Sequence, residues 1–232
     1  MRGSSSGFGL IELMVALALG LLVVLGLTQV FLSTRETYLS QRSSALLQED
    51  ARYVLSKMAQ EIRMAGMLGC LSSDRILDAP AAFQAPVSWQ GAAGSLRMIS
   101  ADVGPQGGRP DWTIVTDCTT FAKAYPGARL SVAPGETALP VREVFYRFEN
   151  GQLKLGPQKA VLLDNVAAFD VSFGVAGSAS AQSVLRYEAR PADVASIRSI
   201  RSVRIALTLR DSGARVRDQA YLLVVALRNR LA

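Results

Sequence analysis

The sequence predicts an α+β protein, in which a long N-terminal transmembrane and amphipathic α-helix packs on a C-terminal antiparallel β-sheet. Three observations predict it. An apolar run near the N-terminus is broken by a single acid, Glu12. Beyond it, apolar residues recur at steps of three and four as far as Ala65. After Tyr125, short segments alternate apolar and polar residues with turn-forming pairs between them.

The helix comes first. The run from Phe8 to Leu27 lasts about 20 residues, the length of a membrane-spanning helix and too long for a short signal core. Only Arg2 and the backbone amine are positive before it, and no small-x-small cleavage site follows it. The positive end is therefore expected to stay cytoplasmic, with the bulk of the chain across the membrane. Past the span, Leu47, Ala51, Val54, Met58, Ile62 and Ala65 form one face of a continuing helix. Arg42, Glu49, Arg52, Lys57, Glu61 and Arg63 occupy the other, where Glu49 reaches Arg52 and Lys57 reaches Glu61. No Gly/Pro-rich linker stands near residue 33, so one continuous helix is expected over residues 8–66, roughly 85 to 90 Å long from Phe8 to Ala65. Gly20 and Gly26 are expected to bend it, and Gly66 and Gly69 to end it.

Residues 67–232 read as a globular head rich in β-strands. From Leu71 to about Tyr125 it is loop-rich, with "SLRMIS" and "DWTIVTDC" as short strands. Asp102, Asp111 and Asp117 surround a glycine-rich turn, but without the spacing of a calcium loop they read as solvated. "REVFYRFENGQLKL" is a hairpin around Asn150-Gly151, a pair suited to a type I′ turn. "NVAAFDVSFGVAG" follows as a strand. In "SVRIALTLRD", Val203, Ile205, Leu207 and Leu209 point inward and Arg204, Thr208 and Arg210 outward. "QAYLLVVALRNR" returns as the last strand.

Composition narrows the function. The chain has no histidine, which removes most acid–base and nucleophilic catalysis at neutral pH and most imidazole metal sites. Two cysteines without histidine make a poor zinc site. In an exported domain, Cys70 and Cys118 are expected to form one disulfide, closing a loop of about 49 residues. The formal charge of +6 lies in the stretch from Arg186 onward, which holds ten Arg, no Lys and four acids. Because these Arg alternate with apolar residues, they read as a solvated strand face rather than a nucleic-acid surface. The G-x-S-x-G, Walker A and G-x-G-x-x-G motifs are absent, as are metal-ligand clusters. No catalytic residue, cofactor or metal is expected.

"GFGLIELMVAL", Gly7 to Leu17, resembles the processing motif of type IV prepilins. The resemblance implies that residues 1–7 are a leader, that a membrane prepilin peptidase cuts after Gly7, and that Phe8 becomes the N-methylated first residue. Glu12 then falls at the fifth mature position. Gly9 departs from the Thr or Ser common there. In this family the carboxylate pairs with the N-terminal amine of a neighbouring subunit. That would explain an acid whose insertion into hydrocarbon costs about 2.5–3.5 kcal/mol. The implied partners are other minor and major pilins through the N-terminal helix, the peptidase and methylase, and the inner membrane. Residues 8–32 would be the transmembrane segment and, later, filament core. The head would lie in the periplasm until the subunit enters the extracellular pilus. "FENGQL", "LLDNVAAFDVSF" and the terminal hairpin are similar to the larger minor pilins of the PilW type. The implied function is a minor pilin near the tip that primes pilus assembly. A J-type pseudopilin of type II secretion and a DNA-uptake pilin are the alternatives.

Overall fold

The computed structural model describes residues 9–101, 109–129, 131–191 and 194–230. Helix α1 runs unbroken over Leu10–Met64. The chain divides into two compact units inside this helix, between Leu46 and Leu47.

From Leu10 onward the first unit is helix. Its apolar side chains are exposed: Leu10, Ile11, Leu17, Leu22, Val30 and Phe31 each keep more than half of their surface. By length and composition it is able to cross a membrane. Its polar hydroxyls turn back on their own helix. Thr28 Oγ1 donates to the Val24 carbonyl at 2.8 Å, Thr34 Oγ1 to that of Val30 at 2.8 Å, and Thr37 Oγ1 to that of Ser33 at 2.9 Å. Such back-bonds let a hydroxyl sit in an apolar setting without an unmet donor. Gly20 and Gly26 cause no break, and a side chain at either would meet nothing within 4 Å.

The second unit starts with the rest of α1 and adds, among the described residues, eleven strands. They are β1 (Val87–Gln90), β2 (Ser95–Ala101), β3 (Trp112–Thr116), β4 (Ala122–Pro126), β5 (Thr137–Glu149), β6 (Gln152–Leu155), β7 (Ala160–Leu163), β8 (Val166–Ala176), β9 (Val184–Glu188), β10 (Ile200–Leu209) and β11 (Gln219–Ala226). Short helix α2 (Val194–Arg198) precedes β10. The expected antiparallel architecture is present, but the strands form two sheets. One runs β1-β2-β5-β3-β4, with β6 on β5 and β7 on β6; the other runs β11-β10-β8-β9.

The apolar stripe of α1 explains this assembly. Leu47, Ala51, Val54, Met58, Ile62 and Ala65 are all buried, in one core with Leu96 and Met98 of β2, Tyr146 of β5, Phe169 and Phe173 of β8, and Val203 and Ile205 of β10. The helix thus covers both sheets. Burying a side chain such as Ile62 contributes about 1.5–3 kcal/mol. Lys57 pairs with Glu61 at 2.8 Å, as the spacing predicts. Glu61 has a second task that the spacing does not reveal: it accepts the Tyr146 phenol hydrogen at 2.5 Å. Burial, and then the Glu61 charge, push the Tyr146 phenol well above its ordinary value. Gly66 ends the helix at φ +80°, with its N–H on the Ile99 carbonyl at 2.8 Å. This ties the end of the helix to β2.

Strand β2 is buried on both faces. Leu96 and Met98 join the core under α1, while Ile99 and Ala101 join a second cluster with Leu68, Ile76, Phe83, Ile114 and Val141. That second cluster is the underside of the stretch read as loop-rich. The hairpin at Asn150-Gly151 forms as expected, with φ of 54° and 72° at the two turn residues.

Candidate functional site

The sequence places its processing and assembly residues at the start of α1. Gly7 and Phe8 lie outside the described residues. Gly9 opens the helix: its carbonyl accepts the N–H of Glu12 at 3.1 Å and of Leu13 at 3.2 Å. A side chain at Gly9 would meet nothing within 4 Å. Among the described residues, the departure from Thr or Ser therefore has no steric origin. Glu12 sits in the first turn and is exposed. There the unpaired N–H groups of the helix end favour a negative charge. Gly9, Ile11, Glu12, Val15, Ala16 and Leu19 line a shallow depression on this face. Gly9 and Ala16, one turn to each side, leave the carboxylate accessible. Among the described residues no cation pairs with it. The arrangement can present one carboxylate on an otherwise apolar surface; among the described residues it offers no nucleophile or base beside it.

Residues 2–28 match the family model of the prokaryotic N-terminal methylation motif. The chain carries an N-terminal methylation motif. This motif is typical of type IV pilins and pseudopilins, which are structural and non-enzymatic proteins. It implies processing by a prepilin peptidase and assembly with other pilins. Together with the exposed apolar helix, it fits anchoring in the inner membrane. Among curated proteins, none matches the chain significantly.

In the second unit, a disulfide joins Cys70 to Cys118, with 5.1 Å between their Cα atoms. It links the segment after the methylation-motif helix to the end of β3, beside the second core. Cys118 stands at φ +61°. Asp117 holds that turn. Its Oδ1 accepts the N–H groups of Thr119, Thr120 and Phe121 at 2.8–2.9 Å, and its Oδ2 accepts the Thr120 hydroxyl at 2.8 Å. These hydrogen bonds, led by the Phe121 N–H, hold the Asp117 carboxyl well below the usual carboxylate range. Asp111 Oδ2 accepts the Glu143 N–H at 2.8 Å. Both acids serve the backbone, and Asp102 lies outside the described residues. Among the described residues no group of three His, Cys, Asp or Glu is placed to hold a metal ion.

The C-terminal arginines are more engaged than a solvated face. Arg204 Nε donates to Ser172 Oγ at 2.9 Å, and its guanidinium lies 4.4 Å from the Tyr187 ring centre. Arg210 pairs with Asp218 at 3.0 Å, and Arg186 pairs with Glu188. Arg201 is buried. Sequence reasoning missed this residue, although it shares the odd numbering of Val203, Ile205 and Leu207. The register of β10 against β8 slips between Ile200 and Ser202, leaving Arg201 as the extra residue of a bulge.

Proposed function

We propose that this chain is a minor pilin of a type IV pilus, seated at or near the tip, where it helps prime assembly. The observation that carries the reading is Glu12. It is a lone exposed carboxylate one turn into an apolar helix, inside a methylation motif. Such a group is costly in lipid and becomes favourable beside a positive partner. Cleavage after Gly7 creates that partner, the Phe8 amine of a neighbouring subunit, so processing and assembly are linked. On this reading residues 1–7 are the leader, residues 8–32 the span and later filament core, and the head waits in the periplasm. The large two-sheet head supports a minor subunit.

The test is a count of surface pili in the parent strain, in a deletion of this gene, and after complementation. Loss of pili restored by complementation is the expected result. Normal piliation with a defect in exported enzymes would transfer the chain to a type II secretion pseudopilus. Within the same strain, Gly7→Ala is expected to leave the protein at precursor mass on an immunoblot.

A further inference from the structure

Among the described residues, β11 pairs with β10 alone, so its other side is an open sheet edge. Its 8 residues hold no charge and no proline, and its pairing has no bulge. Charges, prolines, bulges and short length are what normally keep other chains off an edge. The remaining edges have such protection. Strands β1 and β7 have 4 residues each, and β9 carries Arg186 and Glu188. Strand β4 is met by Leu77, whose N–H donates to the Ala122 carbonyl and whose carbonyl accepts the Ala124 N–H, both at 2.9 Å.

The register fixes what β11 offers. Ser202 stands opposite Ala226, and one step on, the Leu227 N–H donates to the Arg201 carbonyl at 2.8 Å. Bonded and non-bonded pairs alternate in an antiparallel ladder, so Gln219, Tyr221, Leu223 and Val225 bond to β10. Ala220, Leu222, Val224 and Ala226 turn their N–H and carbonyl groups away from it. The side chains of the same four residues are exposed, Leu222 at 68 % and Val224 at 51 %. One strip therefore presents main-chain donors and acceptors together with an apolar surface.

Strand β11 runs alongside α1 in the same direction. Near its start, burial and then the Asp50 charge raise the Tyr221 phenol; past its end, Asn229 Nδ2 donates to the Met64 carbonyl at 3.4 Å. The edge is thus continuous with the helix whose motif implies assembly with other pilins. Two copies joined β11 to β11, antiparallel like the rest of the sheet, would have α1 helices running in opposite directions. Chains anchored in one membrane share a direction, so a different subunit fits the edge better than this strand of a second copy.

We propose that β11 is a docking edge for an extended segment in the head of a different motif-bearing subunit, which adds a strand to the β11-β10-β8-β9 sheet. The inference rests on the assembly part of the proposed function. Main-chain hydrogen bonds from Ala220, Leu222, Val224 and Ala226 give affinity, and side chains packed on Leu222 and Val224 select the partner. The segment is uncharged where it faces them, because an ion there would lie against apolar groups.

The experiment places a photo-cross-linking residue at position 222 of the full-length chain in its own strain, and at Val161, an exposed residue of β7, as control. Adducts are identified by mass spectrometry. The expected result is an adduct from position 222, and none from 161, with a different chain that carries an N-terminal methylation motif. Val224→Lys is expected to abolish that adduct and Val224→Thr, a neutral strand former, to keep it. Equal membrane levels and equal protease resistance of the two variants serve as folding controls. No adduct, an adduct with a second copy, an adduct with a chain that lacks the motif, or an unchanged adduct in folded Val224→Lys overturns the proposal. The pilus count is read separately: pili lost on deletion with no adduct at 222 overturns this inference alone. Normal pili with an adduct to a motif-bearing chain supports it and overturns the pilus reading alone.

Discussion

Single residues carry the sharpest consequences. Glu12→Ala removes the only charge from the apolar face of the motif helix. The variant is expected to remain in the membrane fraction yet to drop out of sheared pili, read by immunoblot of both fractions. Wild-type incorporation would sink the pairing reading. Asp117 gives a pH signature. Its carboxyl is depressed in the folded state, so the stability it contributes is present above the ordinary carboxylate value of 3.8 and is lost as pH falls through the lower folded value. Thermal melts of the full-length protein should therefore show a smaller loss on acidification for Asp117→Asn than for wild type, with the variant already weaker at pH 7. Equal acid sensitivity would mean that the turn does not depend on the ionised form. Met58, wholly buried where α1 covers the sheets, is a packing residue. Met58→Ala is expected to cost about 2–5 kcal/mol, measured by denaturant unfolding.

At the scale of elements, turns govern the sheets. Gly94 separates β1 from β2 at φ +53°, and a Cβ there would come 2.7 Å from the Phe148 carbonyl oxygen. That oxygen belongs to backbone, which cannot swing aside. Gly94→Ala is expected to lose on the order of 1–3 kcal/mol, and denaturant unfolding should show it. A neutral result would mean that β5 shifts freely. The elements differ in how plainly they can be read from the sequence, and the reason is physical. The second half of α1 buries one face only, so its stripe from Leu47 to Ala65 stands out at helical period. Strand β10 alternates cleanly from Val203 to Leu209 because its other face is only half-buried. Strands β1, β4, β7 and β9 are four or five residues long, too short to establish a period, and β2 hides its period by burying both faces. Glu12 was legible because a carboxylate in an apolar run is anomalous. Arg201 was hidden by the bulge, which resets the parity that sequence reading relies on.

The whole molecule depends on a covalent link across its less regular part. The Cys70–Cys118 bridge closes the region that holds the second core. In the chain-entropy model a closed loop of about 49 residues is worth about 4 kcal/mol. Replacing both cysteines by serine is expected to lower the melting temperature markedly under oxidising conditions, and wild type treated with reductant should follow it. Coincident melts of the oxidised wild type and the double variant would show that the two cores hold without it.

The hydroxyls of Thr28, Thr34 and Thr37 bear on how such a chain could change its surroundings. Each is answered one turn back along its own helix. A rod with such internal closure can trade a lipid neighbour for a protein one without breaking any of these bonds. On the proposed reading, its departure from a bilayer would be limited by apolar contact and by one carboxylate, which would make Glu12 a latch on an otherwise greased surface.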